Sequence, residues 1–239
     1  MIDLSLFKLR TRICIVVFSV LSVVAAIFSM PDDVYNANTS SNVLDLFYDT
    51  VIIDPGHGGV DSGAVGNMGT FEKDINLSVS RIIYSLFSCT DVDAVLTRSC
   101  DELLYDEENK SQSKKTQDLA NRVAFVKQYN APVFVSIHQN KFPIKKYSGL
   151  QVYYSKNSPE SKFVAENIQK TTRSLLQNDN KREIKKAGSN IYVLKNIYCP
   201  AVLVECGFLS NPDEEELLCD YSYQKKLAIC IFSSLLMTS

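Results

Sequence analysis

Residues 51–66 read VIIDPGHGGVDSGAVG, which places a short apolar run directly before a glycine-rich turn. The run 51–54 is typical of a buried strand, and the glycines that follow give the backbone the freedom that a tight loop needs. His57, one of only two histidines in the 239-residue chain, lies inside this loop. The role of His57 is therefore the first question that the sequence raises.

Short apolar runs recur along the chain and alternate with longer segments of helical spacing. The runs cover residues 51–54, 93–98, 133–138, 149–154, 190–194 and 201–205, and the helical segments cover about 72–88, 117–129, 158–177 and 213–236. Nearly continuous apolar strands that alternate with helices indicate a mainly parallel sheet with helices on both faces. The length and the absence of an internal repeat favour a single α/β domain.

The composition is that of a globular protein, with 46% hydrophobic and 22% charged residues. A net charge of −2 and a pI near 5.8 give no electrostatic reason to expect a nucleic-acid partner. One of the seven cysteines, Cys14, lies near the N-terminus, and the other six show no CxxC spacing. We interpret those six as free thiols rather than as a metal site or a disulfide framework.

The N-terminal segment, residues 1–30, has the charge pattern of a membrane-targeting sequence. Lys8, Arg10 and Arg12 precede the uncharged apolar run 13–30, which is long enough to span a bilayer. We interpret it as a signal anchor, with a cleaved signal peptide as the alternative. The basic flank should stay cytoplasmic, so the rest of the chain is expected outside. Residues 31–48 read as a polar linker, which leaves 49–239 for the folded domain.

Three predicted strands end in residues that can bind a metal or move a proton. The first strand ends at Asp54 and leads to His57, the third ends at His138, and the sixth ends at Glu205. The carboxyl ends of parallel strands meet at one edge of a sheet. Each residue alone has an ordinary structural explanation, such as packing or capping. Both histidines and a carboxylate at matching positions together favour a functional site.

Two imidazoles and one carboxylate are a usual ligand set of catalytic zinc. Either Glu205 or Glu72 could complete the set. We favour Glu72, at the start of the helix after the loop, because Glu205 is then free to act as a general base. Bound zinc polarises a carbonyl and lowers the pKa of water towards about 7, and Glu205 would pass the proton to a leaving amine. Asp54 and Asp61 are weaker candidate ligands, or hydrogen-bond partners of the imidazoles.

Three other interpretations fit the residues less well. A phosphate-binding loop at GHGG lacks the Gly-Lys-Ser/Thr that should follow. A Cys/His hydrolase built on Cys206 is disfavoured because Glu205 and Cys206 are adjacent on one strand and point to opposite faces of the sheet. A non-catalytic binding module would need neither the paired histidines nor the glutamate. Bound zinc and hydrolytic activity would separate that module from an enzyme.

Four blocks of the sequence closely resemble the zinc-dependent N-acetylmuramoyl-L-alanine amidases of the Amidase_3 type. The blocks are DPGHGGVDSGAVG, FEKDINL, VSIHQN and PAVLVECGFLSN, in the order of the family, and the resemblance covers nearly all of residues 50–237. It implies one α/β domain with a twisted, mainly parallel sheet of about six strands. It also implies cleavage of the amide between N-acetylmuramic acid and the L-alanine of the peptidoglycan stem peptide.

The resemblance also assigns roles to individual residues. The zinc ligands of the family fall on His57, Glu72 and His138, and its catalytic acid/base falls on Glu205. Arg122 and Asn140 match further positions of the pattern, where we expect supporting roles. Gln139 and Cys206 depart from the residue types that are usual there. Neither departure removes a ligand or the base, although substrate preference is open to change.

A basic-flanked anchor, one catalytic domain and no wall-binding repeats look like the CwlD-type amidases of spore formers. That likeness implies a substrate in spore-cortex peptidoglycan, on the way to muramic-δ-lactam, and a location at the cell wall or in the forespore intermembrane space. A vegetative cell-separation amidase of the same chemistry is the alternative. Some clostridial members of that branch need an accessory lipoprotein, which makes such a lipoprotein a candidate partner of this chain.

Overall fold

A computed structural model describes residues 48–105 and 112–236. The predicted membrane segment 1–30 lies outside these residues, as does the linker 31–48 except for its last residue. Within the two described ranges, no helix combines the length and apolar character needed to cross a bilayer.

Six strands form one sheet in the order β2-β1-β3-β6-β4-β5. Their bounds are β1 Thr50–Pro55, β2 Asp93–Leu96, β3 Pro132–Asn140, β4 Gln151–Tyr154, β5 Lys185–Lys186 and β6 Ala201–Phe208. The pairs β1–β2, β1–β3, β3–β6 and β4–β5 are parallel, and β4–β6 is antiparallel. The predicted six-stranded, mainly parallel α/β fold is confirmed.

Helices cover both faces of the sheet. They are α1 Glu72–Phe87, α2 Lys114–Val126, α3 Glu160–Leu175, α4 Tyr192–Asn196, α5 Pro212–Cys219 and α6 Tyr221–Leu236. Alternate residues of β1 enter different cores, so that Val51 and Ile53 pack with α1, α3 and α6, whereas Ile52 packs with α2 and α4. Because the central strands are buried on both sides, they read as continuous apolar runs. Because β1, β3 and β6 are parallel, their carboxyl ends lie at one edge of the sheet.

Three elements differ from the prediction, and one of them is the two-residue strand β5, which was not expected. Residues 190–194 were expected to form a strand, but the segment becomes the short helix α4, in which Val193 and Leu194 are both buried. A short apolar run cannot be assigned to strand or helix by periodicity alone. The predicted helix 213–236 is divided at Asp220, whose carboxylate accepts hydrogen bonds from the backbone N–H groups of Ser222 at 3.0 Å and Tyr223 at 3.3 Å.

Candidate metal centre

The turn after β1 brings the first imidazole to the edge of the sheet. Gly56 continues the pairing with β3 through its N–H, which donates to the carbonyl of Ile137 at 3.0 Å. A Cβ on Gly56 would lie 2.3 Å from Cε1 of His138, so only glycine lets that ring lie over the turn. His57 then adopts a left-handed backbone with φ +62°. Such strain in a non-glycine residue is often found at functional sites.

The carboxylate of Glu72 lies between the two imidazoles. Its Oε2 is 3.3 Å from Nε2 of His57, and its Oε1 is 2.9 Å from Nδ1 of His138. Two backbone groups fix the carboxylate, because the N–H of Ala64 donates to Oε2 at 2.7 Å and that of Gln139 to Oε1 at 3.0 Å. The three side chains therefore converge from the loop, α1 and β3 on one point.

The chemistry and spacing of this donor set fit a zinc ion. The candidate ligand atoms of His57, Glu72 and His138 all lie within 4.8 Å of one another. Tetrahedral zinc with bonds of about 2.0–2.1 Å holds its ligands about 3.3 Å apart, so modest side-chain shifts suffice. Burial opposes ionisation of Glu72, but hydrogen bonds and charge from the imidazoles hold its pKa well below the usual range. The ionised carboxylate is the form of Glu72 that binds a cation.

Glu205 lies on the strand next to His138, and the two residues are direct partners in the β3–β6 register. Its Oε2 atom is buried and has no hydrogen-bond partner among the described residues. Burial raises the pKa of Glu205 to about 7, against the attraction of His138. A carboxyl group in this state can hold or release a proton near neutral pH. Glu205 is not part of the converging ligand set.

The two weaker sequence candidates take different positions. Asp61 contacts the first imidazole, with its Oδ2 3.1 Å from Nδ1 of His57. Asp54 is instead occupied by Arg122, Thr97 and Ser136, whose donor atoms lie 2.5, 2.6 and 2.7 Å from its carboxylate oxygens. Asp61 is therefore placed to orient an imidazole, whereas Asp54 is held by other side chains beneath the site.

The two positions expected to have supporting roles lie close to the site. Nη2 of Arg122 donates to the carbonyl of His57 at 2.9 Å, which fixes the strained residue from below. Asn140 is the last residue of β3, and its carbonyl accepts a hydrogen bond from the N–H of Leu209 at 2.8 Å. The second contact joins β3 to the residue that follows β6.

The family model for N-acetylmuramoyl-L-alanine amidase matches residues 51–236. This chain belongs to the N-acetylmuramoyl-L-alanine amidase family. The germination-specific N-acetylmuramoyl-L-alanine amidase of Bacillus subtilis (strain 168) is 37% identical over 187 residues, which is 78% of each chain. The N-acetylmuramoyl-L-alanine amidase AmiA of Escherichia coli (strain K12) is 29% identical and covers 76% of this chain and 73% of its own.

Solved structures of amidases share the fold. The CwlD amidase from Clostridioides difficile, solved in complex with the GerS lipoprotein, superposes with a TM-score of 0.76 at 40% identity, covering 80% of this chain and 98% of that one. The AmiC2 amidase of Nostoc punctiforme superposes with a TM-score of 0.67 at 32% identity, covering 79% of this chain and 95% of that one. The α/β architecture of this amidase is therefore that of its family.

Two residues that support the site in this amidase were missed at the sequence level. Arg98, just after β2, donates to the carbonyls of Pro55 at 2.9 Å and Gly56 at 3.1 Å, which fixes the turn that leads to His57. Its position beyond a strand end was a usable signal. Glu215 on α5 accepts hydrogen bonds from two N–H groups of the glycine-rich loop, at 2.8 and 3.0 Å. No local pattern pointed to this contact, which joins residues 148 positions apart.

Proposed function

We propose that this amidase hydrolyses the bond between N-acetylmuramic acid and L-alanine with a zinc ion bound by His57, Glu72 and His138. The observation that supports it most is the convergence of those three side chains beside Glu205, whose Oε2 atom is buried and without a hydrogen-bond partner among the described residues. Zinc bound there would polarise the scissile carbonyl and lower the pKa of water. A binding module has no need of an ionisable group beside the ligands.

Glu205 supplies the proton transfers of the reaction. Its carboxylate takes a proton from the attacking water as the new C–O bond forms. It then gives the proton to the alanine nitrogen as the C–N bond breaks, so the products are a muramic acid carboxyl group and a free peptide amine. Asp61 holds the ring of His57 in one orientation through Nδ1, as carboxylates do for metal-binding imidazoles. Arg122 holds the backbone of His57 from below.

The substrate is spore-cortex peptidoglycan, where removal of the stem peptide prepares muramic acid for conversion to the δ-lactam. The similarity to the germination-specific amidase of Bacillus subtilis supports this assignment. The enzyme acts outside the cytoplasm, and its N-terminal segment anchors it to the membrane. The complex of CwlD with a lipoprotein supports a lipoprotein partner for this chain as well.

Digestion of purified peptidoglycan tests the reaction. We expect mass spectrometry to find free stem peptides that begin with L-alanine, together with glycan strands whose muramic acid carries no peptide. Shortened glycans with their peptides still attached would refute the amidase assignment. Expression in a spore former that lacks its own cortex amidase tests the cortex role, and muramic-δ-lactam should then return to the cortex.

Two substitutions separate the ligands from the base. Glu205→Gln should abolish turnover and leave the zinc content close to that of the wild type, because a base is lost and no ligand. His57→Ala should lose both zinc and turnover. Glu216→Gln, an exposed position on α5, is the control and should change neither. Loss of zinc in the Glu205 variant would make that residue a ligand and contradict the role assigned to Glu72.

A further inference from the structure

Arg182 lies beside the catalytic strand, and the proposed reaction does not use it. Strand β4 runs antiparallel to β6, and Gln151 stands opposite Glu205 in the register. Side chains of opposed residues lie on one face of a sheet with their Cβ atoms about 5 Å apart. Nη1 of Arg182 donates to Oε1 of Gln151 at 3.2 Å. The guanidinium thus contacts the residue that stands opposite the proposed catalytic Glu205.

The contacts of Arg182 fix its position, and none of them is a salt bridge among the described residues. Its Cζ lies 4.3 Å from the ring centre of Phe208 and 5.5 Å from that of Tyr147. Its Nε donates to the carbonyl of Ser148 at 2.7 Å. Rings, a carbonyl and an amide are neutral partners. A flat cation held against two rings is pre-organised for a planar anion, because little side-chain freedom is left to lose on binding.

The carboxylate of Glu214 interacts electrostatically with Arg182, but its two oxygens already accept hydrogen bonds from the backbone. Its Oε1 accepts the N–H of Gly149 at 2.7 Å, and its Oε2 accepts the N–H of Phe208 at 2.8 Å. A Cβ on Gly207 would lie 2.8 Å from the same carboxyl group, so the chain closes tightly around it. Glu214 is therefore committed to the backbone at the ends of β4 and β6.

Arg182 also lines a cleft of about 760 Å³ at this end of the sheet. Tyr147, Asn180 and Lys181 line it as well, and acidic side chains such as Asp213 balance the positive ones. The volume is in the range of clefts that hold small molecules or short peptides. Because both signs of charge are present, the overall field of the cleft does not select a ligand. A single fixed guanidinium can do so, because its N–H groups have a defined direction.

We propose that Arg182 binds a carboxylate of the stem peptide and thereby aligns the scissile amide with Glu205. This inference rests on the proposed function. The carboxyl group of the muramic acid is tied up in the bond that is cleaved, so a free carboxylate near that bond must belong to the peptide. A guanidinium can bind a carboxylate through two parallel N–H···O hydrogen bonds, which sets orientation as well as affinity. The part of the peptide beyond that carboxylate then lies in the cleft that Arg182 lines.

The test uses soluble muramoyl tripeptides in matched pairs. In the first pair, the second residue is a γ-linked D-glutamate whose α-carboxyl group is either free or a carboxamide. In the second pair, the same choice is made at the C-terminal carboxyl group of the third residue. Cleavage gives kcat and KM for each compound. Titration calorimetry of the corresponding free peptides against the purified protein gives a readout that needs no turnover.

The wild type should prefer the acid over the amide in one of the pairs, by about ten- to a hundred-fold in kcat/KM and in peptide affinity. Arg182→Gln should remove that preference by weakening only the acid, and Arg182→Lys should retain part of it. Lys181→Gln, which removes an exposed charge from the same cleft, is the matched control and should keep the preference.

Equal losses for acid and amide in Arg182→Gln would overturn the proposal and leave Arg182 a structural role. Cleavage of all four compounds by the wild type without any preference would overturn it too, while the amidase function would stand. A general effect on folding changes the rates for acid and amide alike. The ratio between them therefore reports recognition alone.

Discussion

Replacement of Arg122 by methionine tests how the buried ion pair with Asp54 supports the site. Arg122 is 2% exposed, and it donates through Nη1 to Asp54 at 2.5 Å, through Nε to Asp118 at 2.8 Å and through Nη2 to the carbonyl of His57 at 2.9 Å. Methionine fills a similar volume and makes none of these bonds. The variant therefore leaves Asp54 buried with only the hydroxyl groups of Thr97 and Ser136 as partners.

Loss of one partner of a buried ion pair costs about 3–5 kcal/mol, because the remaining charge keeps its desolvation penalty. Each kcal/mol lowers the melting temperature of a domain of this size by about 2–4 °C. Arg122→Met should therefore melt about 6–20 °C below the wild type. The strained backbone of His57 loses its anchor as well. Zinc affinity should consequently fall together with stability.

The size of the loss depends on pH in a predictable direction. Burial raises the pKa of Asp54, but the charge of Arg122 and the hydroxyl groups of Thr97 and Ser136 outweigh it, so the pKa lies below its usual value. In the wild type this contribution is complete above the unfolded pKa of about 3.9 and is lost as the pH falls through the lower folded value. Without Arg122, burial raises the pKa of Asp54. The variant should then lose more stability at pH 7 than at pH 5.

Urea unfolding in the presence of a chelator, at pH 5 and pH 7, measures this difference without a contribution from metal. Arg81→Gln is the control, because Arg81 is exposed and should change stability by no more than about 0.5 kcal/mol. A loss below about 1 kcal/mol in Arg122→Met would refute the role of the buried pair. An equal loss at both pH values would refute the burial of an uncompensated Asp54.

Three further changes probe the scaffold. Glu215→Gln should weaken zinc binding about tenfold, as loss of outer contacts does at metal sites, whereas the control Glu216→Gln should not change it. Competition with a fluorescent chelator measures both affinities, and equal values would contradict the anchoring of the glycine-rich loop by Glu215. Gly63→Ala should lower zinc affinity more than Glu215→Gln does, because Gly63 has φ +66° and a Cβ there would lie 2.6 Å from Oε2 of Glu72. An unchanged affinity would show that the loop adapts to the added Cβ. Asn211→Ala should cost about 1 kcal/mol in urea unfolding through loss of the N-cap of α5, and no loss would mean that the cap is replaced.

The sheet and the meeting of three strand ends were predictable because they follow from local patterns. A buried parallel strand has a continuous apolar run, and its carboxyl end shares an edge with its neighbours. Asp54, His138 and Glu205, the polar residues that end three of these runs, were therefore expected to lie close together. The register confirms that Asp54 and Glu205 lie on the strands that flank β3. Glu72 was chosen as the third candidate ligand because it stands at the start of a helix. The glycine and polar residues before it indicate that start.

Residues that act over long sequence distances were not predictable in the same way. Arg182 follows α3 in a polar segment, and nothing in its neighbourhood indicates that it stacks on Phe208 or reaches Gln151. Glu215 belongs to an acidic first turn, where a favourable interaction with the helix dipole is sufficient explanation. The prediction of a strand at 190–194 was wrong for another reason. The burial of Val193 and Leu194 in α4 comes from the surrounding fold and not from the periodicity of the segment.

The loop from His57 to Glu72 links its own folding to metal binding. Both of its ends are candidate ligands, and the carboxylate of Glu72 also accepts the N–H of Ala64 from within the loop. Zinc bound at the ends would close the loop, and the hydrogen bonds of Asn67 and Met68 to Glu215 fix it between those ends. Since a site that is ordered before binding pays less entropy on binding, interactions that fix the loop raise metal affinity without touching the metal. Glu215 and the glycines therefore belong to the site as much as the ligands do.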